Sequence, residues 1–133
     1  MTSPLPIRSP CPPGACKCDR ERLLALDGAD VRILRLTRQE EKRLLERLEN
    51  IASVEDLQRL QTRMFDQLGI RLDIAPGFNE VRSMRGMVID IAELPGMCRK
   101  TRAAIPAAIR RGLEKTPEIA WRLLDAHDLF RDA

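Results

Sequence analysis

The chain has 133 residues, 44% of them hydrophobic and 32% charged, with a net charge of +3, the balance of one ordinary folded domain. No apolar run approaches the ~20 residues of a membrane-spanning helix, and the start, Met1 to Arg8, lacks the apolar stretch of a signal peptide, so a cytoplasmic protein is expected. Aromatic residues are only 3% and tyrosine is absent, which leaves the core to aliphatic side chains and argues against base stacking on single-stranded nucleic acid.

Residues 1–18 form the first segment. Pro4, Pro6, Pro10, Pro12 and Pro13 forbid a helix there and predict an extended arm. The arm also holds Cys11, Cys16 and Cys18. A short helix over about 19–27 is expected next, ended by Gly28. Residues 31–36, Val-Arg-Ile-Leu-Arg-Leu, read as a short strand or extended lead-in.

Thr37 with Glu40 three residues later is a capping-box pattern. It opens a helix whose stripe is Leu44, Leu45, Leu48, Ile51 and Ala52. Ser53 caps a second helix carrying Val54, Leu57, Leu60, Met64, Phe65 and Leu68, closed by Gly69. The tight junction predicts an angled helix–turn–helix or an αα-hairpin. Alternation over 70–74 and a second apolar run over 87–92 predict two strands, antiparallel because the connection is too short for a parallel crossover.

Pro95 and Gly96 turn the chain into Cys98. Residues 101–114 read as helical, with a break or late start at Pro106. Thr116, Pro117 and Glu118 open a last helix running to about Phe130. The expected fold is therefore a single α+β domain over 19–133: a helical pair, a two-stranded antiparallel hairpin and C-terminal helices, in the element order of a winged helix–turn–helix. The extended Pro/Cys-rich arm precedes it.

The chemistry concentrates in sulfur. Cys11, Cys16, Cys18 and Cys98 are the only cysteines, the right number for a four-thiolate metal site. Three ligands from one short loop leave little chain to order between them. In a reducing compartment such clusters more often bind metal than form disulfides. Zinc is preferred. An iron–sulfur cluster is the alternative, since the C-x4-C-x-C spacing is one residue shorter than the C-x4-C-x2-C of plant-type ferredoxins. The plain readings are that Cys98 is a small buried hydrophobe and that the N-terminal trio is redox-active or adventitious. No base is paired with a cysteine nucleophile, and no Walker loop, dinucleotide fingerprint or zinc-protease motif occurs, so an enzyme is not expected.

Charge is uneven. Residues 98–115 carry six bases and one acid. Arg99, Lys100, Arg102, Arg110, Arg111 and Lys115 are candidate phosphate contacts, with Arg82 and Arg85 at or near the tip of the expected wing, residues 76–86. The plain reading is a solvated helix face, or cations that offset the charge of a thiolate site. The recognition helix in this scheme, 54–68, would be net −1, poor for entering a groove. The expected function is a small non-enzymatic protein with a four-cysteine zinc site and a basic face for nucleic acid. The alternatives are an adaptor whose amphipathic helices leave an apolar groove for a protein partner, and an iron–sulfur or thiol redox protein.

Overall fold

The computed structural model describes residues 7–8, 20–76 and 87–128. Cys11, Cys16, Cys18, Arg82 and Arg85, and with them the expected wing and most of the arm, lie outside the described residues. The elements are α1 (Arg20–Ala25), a 3₁₀ turn (Arg32–Arg35), α2 (Arg38–Glu49), α3 (Val54–Leu68), β1 (Leu72–Pro76), β2 (Met87–Ile91), α4 (Arg99–Lys115) and α5 (Pro117–Asp128). This is an α+β arrangement, with one two-stranded antiparallel sheet. Among the described residues no helix is long and apolar enough to cross a membrane.

The helix starts follow from local side-chain chemistry. The Thr37 hydroxyl accepts the Glu40 amide at 3.3 Å and opens α2. At α3 Ser53 accepts the Asp56 amide at 3.1 Å, and the Asp56 carboxylate reaches back past the cap to accept the Ala52 amide at 2.9 Å. Asp56 is buried and also paired with Arg47 of α2. That guanidinium, and then the Ala52 amide, hold its carboxyl below the usual carboxylate range. Gly69, at φ +75°, closes α3 in the left-handed conformation.

Two expectations need correction. Residues 31–36 are neither strand nor extended: Leu34 donates to the Val31 carbonyl at 3.0 Å and Leu36 to that of Ile33 at 3.1 Å, the pattern of a 3₁₀ turn. The apolar positions 33 and 34 are adjacent, not alternating, and the turn lets both be fully buried. Secondly, α4 runs unbroken through Pro106. An interior proline costs about 3 kcal/mol. Burying Ile105, Ile109 and Leu113 completely contributes about 1.5–3 kcal/mol each, so the packed face outweighs the lost hydrogen bond.

The helical pair does not close on itself. The largest contact between helices is that of α2 with α4, whereas α3 leans on the 3₁₀ turn. The α2–α3 junction is thus the angled form, and an αα-hairpin is not made. Arg32 fixes the second of these contacts. It donates to the Phe65 and Asp66 carbonyls at the end of α3, at 3.0 and 3.2 Å, pairs with Asp30 at 2.8 Å, and lies over the Phe65 ring.

The α2–α4 crossing is close. Gly112 is buried, and a Cβ there would collide with the backbone carbonyl of Leu48 and stand 3.0 Å from Ile51. Nearer the start of α4, the buried Thr101 hydroxyl donates to Glu41 at 3.0 Å. Because backbone cannot step aside as a side chain can, Gly112→Ala is expected to destabilise the protein by about 1–3 kcal/mol, read as a lower urea midpoint. Ala at 112 with unchanged stability would show that the helices are not in this contact.

Candidate functional site

Cys98 is half-buried and occupies the N-cap position of α4. The turn before it is well defined: Met97 donates to the Leu94 carbonyl at 3.1 Å, with Pro95 and Gly96 between them. Gly96 has φ +92°, as the third residue of a Pro-Gly type II turn requires. It also packs so tightly on Leu23 of α1 and Ile33 of the 3₁₀ turn that a Cβ would overlap both. The turn two residues before Cys98 is therefore fixed against α1 and the 3₁₀ turn, and Cys98 itself stands at the positive end of a 17-residue helix, where an anionic ligand atom is favoured.

The two described residues of the arm meet the same region. The Arg8 amide donates to the Leu34 carbonyl at 2.6 Å, and the Arg20 guanidinium donates to the Arg8 carbonyl at 2.9 Å. Residues 8 and 20 thus form a neck that closes the segment carrying Cys11, Cys16 and Cys18. The neck sits on Leu34, whose side chain lies 3.7 Å from the position of a Cβ on Gly96. Cys11 is three residues from Arg8 and Cys18 two from Arg20, reaches of about 10 and 7 Å. Among the described residues, no group of three or more metal-ligating side chains occurs.

The candidate phosphate contacts divide. Arg82 and Arg85 lie outside the described residues. Arg111 pairs with Glu49 of α2 at 2.5 Å, and Lys115 reaches the Asn50 side chain at 3.5 Å. Arg102 and Arg110 serve the sheet. Ala92 donates to the Arg71 carbonyl at 3.1 Å, so with β1 and β2 in the register Leu72↔Ile91 to Pro76↔Met87 the bonded pairs alternate through Asp73↔Asp90 and Ala75↔Val88. The Met87 and Ile91 carbonyls then face away from β1. Arg110 donates to the first and Arg102 to the second, each at 3.1 Å. Eight residues of helix span about 12 Å and four of strand about 14 Å, so the two guanidinium groups match the two carbonyls. On β1 the outward Leu72 carbonyl accepts the Gln61 amide at 3.1 Å. Arg99 and Lys100 alone of the six α4 bases are exposed with no such partner among the described residues.

Sequence reasoning did not find the Arg–carbonyl bonds, because strand-edge carbonyls carry no residue-type signal. The apolar groove that the adaptor alternative expects between amphipathic helices has a counterpart in a slot of about 530 Å³ between the 3₁₀ turn, α2 and α3, though the sequence did not say which helices would line it. Its signal was present in Leu44 and the Leu60, Met64 and Leu68 stripe.

No protein-family model matches the chain, and neither a curated protein nor a solved structure matches it.

If Arg102 and Arg110 are structural, replacing both with Met lowers stability by about 2 kcal/mol, measured by urea unfolding. Replacing exposed Arg99 and Lys100 with Met changes it by less than about 0.5 kcal/mol. Equal effects of the two pairs would contradict the division.

Proposed function

We propose that the protein is a small non-catalytic metal-binding protein in which Cys11, Cys16, Cys18 and Cys98 hold one zinc ion. The observation that carries this reading is the neck at Arg8 and Arg20. It joins residues 8 and 20, which flank the cysteine-bearing segment, at Leu34 of the 3₁₀ turn, and Gly96, two residues before Cys98, packs on the same turn. The ligand set is that of a closed structural site, with four thiolates and no open position for a substrate. Four thiolates on Zn²⁺ leave a net charge of about −2, and Arg99 and Lys100, next in sequence to Cys98, partly offset it.

Elemental analysis of protein purified without oxygen is expected to return about one zinc per chain. Cys98→Ser is expected to lower both the zinc content and the thermal transition. Metal-free protein with four titratable thiols and the same thermal transition would end the proposal. Visible absorbance with bound iron would replace zinc by an iron–sulfur cluster.

A second reading, supported by the exposed Arg99 and Lys100, gives the basic face to nucleic acid, in the element order of a winged helix–turn–helix. With four of the six α4 bases engaged within the protein, the field of this face falls mainly to these two. Replacing both with Ala is then expected to weaken retention of duplex DNA and to reduce the slope of log affinity against log salt by about 2. Retention that ignores salt, or survives the double substitution, would remove this reading.

A further inference from the structure

Helices α2 and α4 run parallel. Their contacts climb both helices together: Glu41 with Thr101, the Leu48 carbonyl with Gly112, Glu49 with Arg111 and Asn50 with Lys115. The two helices therefore begin side by side, since Glu41 is the fourth residue of α2 and Thr101 the third of α4. That brings Arg38 and Lys42 to the end where Arg99 and Lys100 stand, about sixty residues further along the chain. All four are exposed, with no ion pair among the described residues. Arg38, Lys42 and Glu49 fall at i, i+4 and i+11, and Lys100 and Arg111 at i and i+11, close to whole numbers of turns in each case. The Glu49–Arg111 pair joins these two stripes into one flank, which ends in Arg38, Lys42 and Lys100, with Arg99 at the start of its helix. The acids nearby in sequence, Glu40 and Glu41, are held by Arg43 and Thr101. Residues 37–43 and 98–102 together carry six bases and two acids, so this end stays positive even beside a zinc–thiolate centre of about −2. The positive ends of two helices add to the field.

We infer that this end of the α2–α4 pair grips the phosphate backbone of double-helical nucleic acid, with Arg38 and Lys42 as the half of the interface that α2 supplies. The inference rests on the nucleic-acid reading of Arg99 and Lys100 and adds to them two residues of another helix. The observations select this occupant. A protein interface or a helix lying on a membrane needs an apolar anchor, and none of the exposed large hydrophobic residues among the described residues belongs to α2 or α4. Single strands are held on aromatic platforms, and α2 and α4 contain no aromatic residue. One small anion calls for donors that converge on a point, whereas these cations are spread over two helices whose axes lie about 8–10 Å apart. A regular array of phosphates is the ligand that charge alone can hold. Helix α3, the recognition helix of the winged order, is net −1 and stays outside the contact.

The test uses the full chain with a fluorescein-labelled 20-base-pair DNA duplex and, in parallel, an RNA duplex of the same sequence, followed by fluorescence anisotropy at several salt concentrations. The tighter of the two names the nucleic acid. On DNA the slope of log affinity against log salt is expected near about −3.6, the value for four phosphate contacts. R38A/K42A and R99A/K100A are each expected to reduce it by about 2. R35A/R63A removes the same charge from exposed positions of the 3₁₀ turn and α3 and is expected to leave it unchanged. Circular dichroism verifies that each variant is folded. If R99A/K100A reduces the slope and R38A/K42A does not, this inference falls while the nucleic-acid reading stands. If R99A/K100A has no effect, or neither duplex binds, both fall. An equal loss with R35A/R63A overturns the inference by reducing the effect to net charge. So does a single strand bound as tightly as the duplex. Phosphatidylglycerol vesicles that bind the protein as tightly, and lose it with R38A/K42A, also overturn it by assigning the surface to a membrane.

Discussion

The close crossing of α4 over α2 at Gly112 organises this molecule. Where a side chain would stand, the backbone carbonyl of Leu48 stands instead, so the two helices meet backbone to backbone at this point. Everything else is arranged around that contact. With α2 committed to α4, α3 must find its support elsewhere, and it finds it in the 3₁₀ turn and the Arg32 clamp. Helix α4 also carries Arg102 and Arg110 to β2 on one side and begins at Cys98, two residues after the Gly96 that packs on α1. A helix often read as an accessory C-terminal element is here the part that touches α2, β2 and α5.

The pieces that sequence reveals are those whose chemistry is local. Thr37 and Ser53 as caps, Gly69 as a left-handed terminator and the antiparallel pair all depend on residues within a few positions of one another, and each is found where the spacing puts it. The pieces that sequence hides depend on partners far along the chain. Residues 31–36 look extended until one sees that Ile33 and Leu34 are both needed inside. Pro106 looks like a break until its helix is seen to bury three large side chains. The basic cluster after Cys98 looks uniform, yet its members face different surroundings: a strand carbonyl for Arg102 and Arg110, a carboxylate for Arg111, solvent for Arg99 and Lys100. Charge counts along a sequence cannot tell a guanidinium that is bonded from one that is available.

The cysteines show the same limit from the other side. Their number and type suggested a shared ion, but nothing in the spacing says that residue 98 can come near residues 11–18. The two backbone hydrogen bonds of Arg8 and the packing of Gly96 gather residues 8, 20 and 96 around Leu34, and it is on them, not on the cysteines themselves, that the proposal rests. A backbone amide, a backbone carbonyl and a missing Cβ bring these positions together, and none of them has a signature in composition.

The paired arginines on α4 have one more effect. A sheet of two strands exposes a free margin on each side, and such margins are where foreign strands attach and where fibrils begin. By filling the Met87 and Ile91 carbonyls, two of the three that β2 turns outward, with long, charged donors from its own helix, the protein takes up most of the acceptors that an incoming strand would need and leaves charge in their place. The hairpin is thereby made unattractive to its own kind, at a position where the small size of the sheet would otherwise leave it open to strand addition.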